Sequence, residues 1–203
     1  MYTIIFATGN KNKMIEIREI LSELDAEIIS MKEAGIDIDI DENGTTFEEN
    51  AVIKARAVAN ALPENLKDAI VMADDSGLEV DAMDKAPGVL SARWMGEDTS
   101  YRIKNAKIIE NLKDVPVKDR TARFVCAVGA AMPDGTDLVV RGVIEGRIGY
   151  EERGENGFGY DPIFMLPDMS VSTAELSMEE KNKISHRGNA LRAMLKELRT
   201  VLN

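Results

Sequence analysis

With 203 residues the chain is long enough for one sizeable core, and a protein of this size buries on the order of 70% of its unfolded surface. Its 36 acidic and 25 basic residues leave a net charge of −11, which opposes sequence-independent binding to DNA or RNA, where basic surface supplies most of the affinity. No apolar run approaches the ~20 residues that cross a bilayer, and the N-terminal apolar stretch is too short for a signal peptide's core. The single cysteine, Cys126, sits inside the apolar run 124–128 without an intrachain disulfide partner. It reads as a small buried hydrophobe, and the whole as a soluble, cytoplasmic protein of one domain, with neither nucleic acid nor membrane as partner.

An apolar strand, Thr3 to Ala7, opens the chain and ends in Thr8-Gly9-Asn10. Met14, Ile17, Leu21 and Leu24 then mark one face of a helix beginning near Lys11. The unpaired amide donors and dipole at that helix start repel Lys11 and Lys13, so the pair points to an anion, and a strand-turn-helix junction is a usual place for phosphate. The plain alternative is an ordinary turn with solvated lysines. After a short strand, Glu27 to Ser30, and an acidic loop, Asp37 to Gly44, Thr46-Phe47-Glu48-Glu49 forms a capping box. The helix it starts keeps Phe47, Ala51, Ala55, Val58 and Leu62 on one face and is stopped by Pro63.

A buried strand, Ala69 to Ala73, runs into Asp74-Asp75-Ser76-Gly77, which places two carboxylates at a strand's end. A helix from about Thr99 to Leu112 follows, then two long strands, Thr121 to Met132 and Asp137 to Ile148, joined by Pro133-Asp134-Gly135-Thr136 as a hairpin turn. Gly154 to Asp161 is a glycine-rich loop, and a last helix carries Leu191, Met194, Leu195, Leu198 and Leu202 on one face. Strands alternating with helices, plus one long hairpin, predict a mixed α/β sheet flanked by helices.

Adjacent carboxylates repel unless a cation or solvent separates them. Mg²⁺ would resolve the conflict at Asp74-Asp75, since it takes oxygen ligands from one or two carboxylates plus substrate phosphates. A solvated Asx turn is the plain alternative. Glu42 is a candidate second carboxylate, while the capping box already accounts for Glu49. The glycine loop fits neither a dinucleotide fingerprint nor a P-loop. It allows close backbone approach to a ligand, with Phe158 and Tyr160 as candidate stacking rings or core residues. Lys181, His186 and Arg187, near the start of the last helix, are candidates to receive phosphate and a base edge; taken singly, each also reads as a solvated helix start.

Taken together, the chain resembles the inosine triphosphate pyrophosphatase family over nearly its whole length. The resemblance rests on Thr8-Gly9-Asn10 with Lys13, Thr46-Phe47 with Glu49-Asn50-Ala51 and Lys54, Ala73 to Leu78, Pro87-Gly88 with Ser91-Ala92-Arg93, Gly157 to Pro162, and Ser185-His186-Arg187-Gly188. It implies an elongated α/β fold, a single domain over residues 1–203 of two lobes with a central cleft, Mg²⁺ dependence and a homodimer. The implied activity is hydrolysis of ITP, dITP and XTP to the nucleoside monophosphate and pyrophosphate. By the same resemblance Thr8, Gly9, Asn10, Lys11, Asn12 and Lys13 form the triphosphate turn, with Lys54 a further phosphate contact. Asp75 is the catalytic carboxylate and a metal ligand, Glu42 the second ligand with Asp74 and Glu49 as rivals, and Ser76 a substrate contact. Phe158, Gly159, Tyr160 and Asp161 form the nucleoside loop, Phe158 being the stacking ring, and Lys181, His186 and Arg187 read the base. The alternatives are a related Maf-type pyrophosphatase acting on other nucleotides and a nucleotide-binding sensor without turnover.

Overall fold

The computed structural model describes residues 2–202, the Asn12 side chain excepted. In chain order its elements are β1 (Tyr2–Phe6), α1 (Lys11–Leu21), β2 (Ala26–Ser30), α2 (Phe47–Asn60), β3 (Ile70–Val80), α3 (Tyr101–Asn111), β4 (Thr121–Ala131), β5 (Asp137–Ile148), β6 (Phe164–Met165), α4 (Met178–Ile184) and α5 (His186–Leu202). The strands form one sheet in the order β2-β1-β3-β4-β5-β6. β1 is parallel to β2 and to β3, whereas β6 is antiparallel to β5, so the sheet is mixed, as the alternation of elements predicts. The β4-β5 hairpin is closed by backbone bonds from Met132 N–H to Thr136 O and from Ile148 N–H to Arg120 O, each 2.9 Å. Among the described residues no helix is long and apolar enough to cross a membrane.

The chain divides into two compact units. The first gathers the segment up to Asp75, Cys126–Gly142 and the chain from Arg187 onward. Here successive strand residues point to opposite faces of the sheet. Ile4, Phe6, Ile70 and Met72 pack with Met14, Ile17 and Leu21 of α1 and with Leu191, Met194 and Leu198 of α5. Ile5, Val71 and Ala73 pack on the other face with Ala55 and Val58 of α2. α2 is fixed at its start by the predicted capping box, Thr46 to Glu49, and it lies close against β4. A Cβ at Gly129 would stand 2.9 Å from the Ala51 carbonyl carbon, so only glycine lets the backbones approach this far. Cys126 is buried in the α1/α5 core as expected of a small hydrophobe.

The second unit comprises Ser76–Val125 and Val143–His186. Its core joins Leu78 and Val80 of β3, Ile108 and Leu112 of the α3 region, Phe124, Ile148, Tyr160 and Phe164, with Trp94 packed against it. Fully buried Arg120 donates to the carbonyls of Ile148 at 2.8 Å, Leu112 at 2.5 Å and Gly149 at 2.6 Å, tying the end of α3 to the end of β5.

Two expectations about boundaries change. β3 does not stop at Ala73; it continues through Asp74-Asp75-Ser76-Gly77 to Val80, so the carboxylates lie within a strand. The single last helix is two helices, because Ser185 adopts extended backbone (φ −63°, ψ 151°) and separates α4 from α5. Lys181 therefore belongs to α4, whose own capping box is Ser177 with Glu180, while His186 opens α5.

Candidate active site

The continuation of β3 resolves the repulsion between the two aspartates. Neighbouring strand residues face opposite sides, so Asp74 follows Ile70 and Met72 toward α1 and α5, and Asp75 follows Val71 and Ala73 toward α2. Each meets its own cation. Lys13 Nζ donates to both Asp74 oxygens at 3.0 and 3.1 Å, and Arg187 Nε donates to Asp74 Oδ2 at 3.1 Å. On the α2 side, Asn50 Nδ2 donates to Asp75 Oδ2 at 3.1 Å and Lys54 Nζ to Asp75 Oδ1 at 3.3 Å. Asn50 and Lys54 are one helical turn apart, which brings both to the same face of α2. Lys54 also donates to Glu42 Oε2 at 3.0 Å, so one ammonium stands on both predicted metal carboxylates.

The two aspartates are held in different ionisation regimes. Burial pushes Asp74 up, but Lys13, Arg187 and Lys54 outweigh it and keep its carboxyl well below the usual range. Burial also pushes Asp75 up; Lys54 and Asn50 pull it down and Glu42 adds repulsion, leaving it above its ordinary value. Lys54 is likewise opposed by burial, yet Asp75, Asp74 and Glu42 together hold its pKa above the ordinary value. Both partners of this ion pair rise because Lys54 answers to several carboxylates and Asp75 to one close ammonium. Environments that push two carboxylates apart separate a permanent anion, Asp74, from a candidate proton acceptor, Asp75.

The turn before α1 is held by its own side chains. Thr8 Oγ1 accepts the Asn10 N–H at 3.2 Å, and Asn10 Oδ1 accepts the Lys13 N–H at 3.3 Å. Asn12 was also expected in this turn, but its side chain lies outside the described residues. The anion that Lys13 requires is supplied within the protein by Asp74, with the lysine side chain still 25% exposed.

The second unit contains the nucleoside loop. Asp161, nearly fully buried, accepts the Phe158 N–H at 2.8 Å and Lys181 Nζ at 2.5 Å on Oδ2, and Thr173 Oγ1 at 2.9 Å on Oδ1. Gly157 (φ +76°) leads into this arrangement in the left-handed region, and a Cβ there would collide with the Asp161 carboxylate. Phe158 is 62% exposed, with Lys181 Nζ 5.1 Å from its ring centroid. Asn105 of α3 braces the loop, donating to Gly159 O at 3.3 Å and Glu152 Oε1 at 2.8 Å. The His186 ring stacks on Phe124 with centroids 5.0 Å apart.

Several predicted residues are placed otherwise than expected. Tyr160 is a core residue, its hydroxyl donating to Ser91 O at 2.8 Å and its ring meeting Tyr101 edge-on, so it is not open to stack a ligand. Arg187 does not present an open guanidinium beside His186. Consecutive helical side chains diverge by about 100°, and Arg187, 6% exposed, donates to Asp74 and to Glu16 Oε2 at 3.1 Å. Of the rival metal carboxylates, Asp74 is engaged by Lys13 and Arg187, and Glu49 Oε2 by Thr45 and Thr46 at the cap, at 2.6 to 3.2 Å. Ser76 follows Asp75 in β3 and is partly exposed. Glu16, Asn50 and Asn105 were given no role from sequence. For Asn50 the signal was its spacing from Lys54; Glu16 and Asn105 find their partners far along the chain.

Among the described residues no cluster of three or more acidic, histidine or cysteine side chains forms a protein-only metal cage. Glu42 and Asp75 nevertheless offer hard oxygen donors turned to a common cation. That set suits Mg²⁺, which completes its shell with water and substrate phosphate.

The chain is 47% identical to the dITP/XTP pyrophosphatase of Exiguobacterium sibiricum over 98% of each sequence, and 44% identical to the dITP/XTP pyrophosphatase of Bacillus subtilis over 98% of each. Among solved structures, a HAM1 protein from Coxiella burnetii superposes with TM-score 0.87 at 40% identity, covering 98% of this chain and 100% of that one. The Staphylococcus aureus Ham1 protein gives the same TM-score and identity over 98% and 99%. A model of the Ham1 family matches residues 4–197, nearly the entire chain, and the protein belongs to the Ham1 family.

Proposed function

We propose that this protein is a Mg²⁺-dependent pyrophosphatase that hydrolyses ITP, dITP and XTP to the nucleoside monophosphate and pyrophosphate, clearing deaminated purines from the cytoplasmic nucleotide pool. The observation that carries the reading is the α2-side cluster of Asp75, Asn50, Lys54 and Glu42 in a Ham1 chain whose relatives are dITP/XTP pyrophosphatases. The chain acts as a single catalytic domain and as a homodimer.

Water attacks the α-phosphorus, the bond to the oxygen bridging the α and β phosphates breaks, and pyrophosphate leaves with that oxygen. Asp75 accepts the proton of the attacking water. Asn50 fixes the orientation of that carboxylate. Glu42 and Asp75 would hold Mg²⁺, which when bound supplies positive charge against the phosphate oxygens. The turn from Thr8 to Lys13, with Lys11 and Lys54, binds the triphosphate and balances charge on the leaving group; positioning and electrostatics of this kind provide most of the catalysis in phosphoryl-type transfer. Arg187 and Lys13 keep Asp74 ionised on the face of β3 opposite the reacting carboxylate. Phe158 stacks on the base, and Lys181 and His186 present donors to its 6-oxo edge. Adenine puts an amino donor there and leaves those donors unpaired, the kind of mismatch by which polar sites discriminate strongly.

Pyrophosphate release from ITP, XTP and ATP, with and without Mg²⁺, tests the reading. The expected result is Mg²⁺-dependent release from ITP and XTP at least ~10²-fold more efficient than from ATP. Absence of pyrophosphate from ITP at any Mg²⁺ concentration overturns it, and equal efficiency on all three nucleotides overturns the specificity.

A further inference from the structure

Lys54 stands where its charge competes with a metal. Its ammonium contacts Glu42 Oε2 at 3.0 Å and Asp75 Oδ1 at 3.3 Å, and the three side chains are largely withdrawn from solvent, with exposures of 13%, 31% and 11% in that order. An ammonium in contact with these two oxygens and a divalent cation bound by the same oxygens repel one another at close range, where solvent screening is weak. Each therefore weakens the hold of the other on this pair of carboxylates. Lysine, unlike arginine, carries its charge as a compact group on a flexible four-carbon stem, so it can leave without moving α2. Asn50 retains Asp75 Oδ2 when it does so, keeping the carboxylate aimed.

We propose that Lys54 is an internal counter-ion that excludes divalent cations from the Glu42–Asp75 pair until a triphosphate draws the ammonium onto its own oxygens. The inference rests on the assignment of Glu42 and Asp75 as the metal carboxylates and adds an order of events: the metal enters with the nucleotide and binds poorly ahead of it. The arrangement offsets the charge of both carboxylates through the nucleotide-free part of the cycle and leaves the lysine free for phosphate at the moment the metal arrives. Linkage requires the effect to be reciprocal, so nucleotide tightens metal binding by the factor that metal tightens nucleotide binding.

Binding of Mn²⁺ alone, followed by the electron-paramagnetic-resonance signal of the free ion and by calorimetry, tests this on the full chain. Lys54→Met keeps the length of the side chain and removes its charge; Lys54→Gln serves if the methionine variant does not fold by circular dichroism. The expected result is Mn²⁺ affinity at least ~10-fold tighter than wild type for the neutral variant, affinity unchanged for Lys54→Arg, and loss of the gain when Glu42→Gln is added to the neutral variant. Equal Mn²⁺ affinity in wild type and the neutral variant overturns the proposal, as does a gain that survives Glu42→Gln. The outcome is separable from the enzymatic reading. Wild-type pyrophosphate release with no gain in the neutral variant removes the counter-ion role alone. A gain abolished by Glu42→Gln, in a protein that releases no pyrophosphate from ITP, keeps that role and removes the proposed activity.

Discussion

Replacing Asp74 by asparagine isolates the buried ion cluster on the α1/α5 face. The substitution preserves shape but removes the anion shared by Lys13 and Arg187, in a side chain only 2% exposed. Breaking a buried pair by deleting one partner costs about 3–5 kcal/mol. Glu16 still pairs with Arg187, and Lys13 is partly exposed, so the lower end, about 3 kcal/mol at neutral pH, is expected. With a urea m-value of about 2.5 kcal/mol per molar, the midpoint falls by about 1.2 M. The pH dependence provides an internal check. Asp74 has a folded pKa depressed below its ordinary 3.8, so its contribution is complete above that value and is lost as pH falls below it, where the unfolded chain takes up the proton first. The gap between wild type and Asp74→Asn therefore narrows by about 1 kcal/mol near pH 3, at up to about 1.4 kcal/mol per pH unit. Urea titrations of both proteins across this range measure it. A neutral-pH difference below about 1 kcal/mol, or a gap that stays constant into acid, refutes the account of Asp74 as a buried anion held ionised by its cations.

Asp75→Asn should retain the fold and ITP affinity within about tenfold while lowering kcat by ~10²-fold or more, measured by pyrophosphate release; near wild-type turnover removes Asp75 from the chemistry. Gly129→Ala should cost about 1–3 kcal/mol in urea unfolding because its methyl meets the Ala51 backbone of α2, and unchanged stability contradicts the close approach. Phe158→Ala, at a largely exposed ring, should leave the unfolding midpoint unchanged while kcat/KM for ITP falls about tenfold or more from lost stacking. Equal kcat/KM for the variant and wild type would assign Phe158 no part in base binding.

Much of the fold was legible in local patterns. The period of Met14, Ile17 and Leu21, the Thr46–Glu49 box and the Pro133–Thr136 turn each act within a few residues, so α1, α2 and the β4-β5 hairpin follow from neighbours along the chain. The ordered motifs likewise carried the family resemblance. What local pattern could not supply was the passage of β3 through Asp74 and Asp75: a pair of aspartates reads as a turn until cations from other segments are known to meet it. Those cations, Lys13, Lys54 and Arg187, come from three helices far apart in the chain, and only tertiary packing places one set on each face of the strand. The same holds for Tyr160, which sequence leaves equally suited to a ligand or a core, and which burial and its bond to Ser91 assign to the core. The sequence by itself determined which chemical groups are present and which local elements carry them. The tertiary structure decided which groups are paired and how strongly each holds its charge, because desolvation and Coulomb attraction depend on distances that packing alone sets.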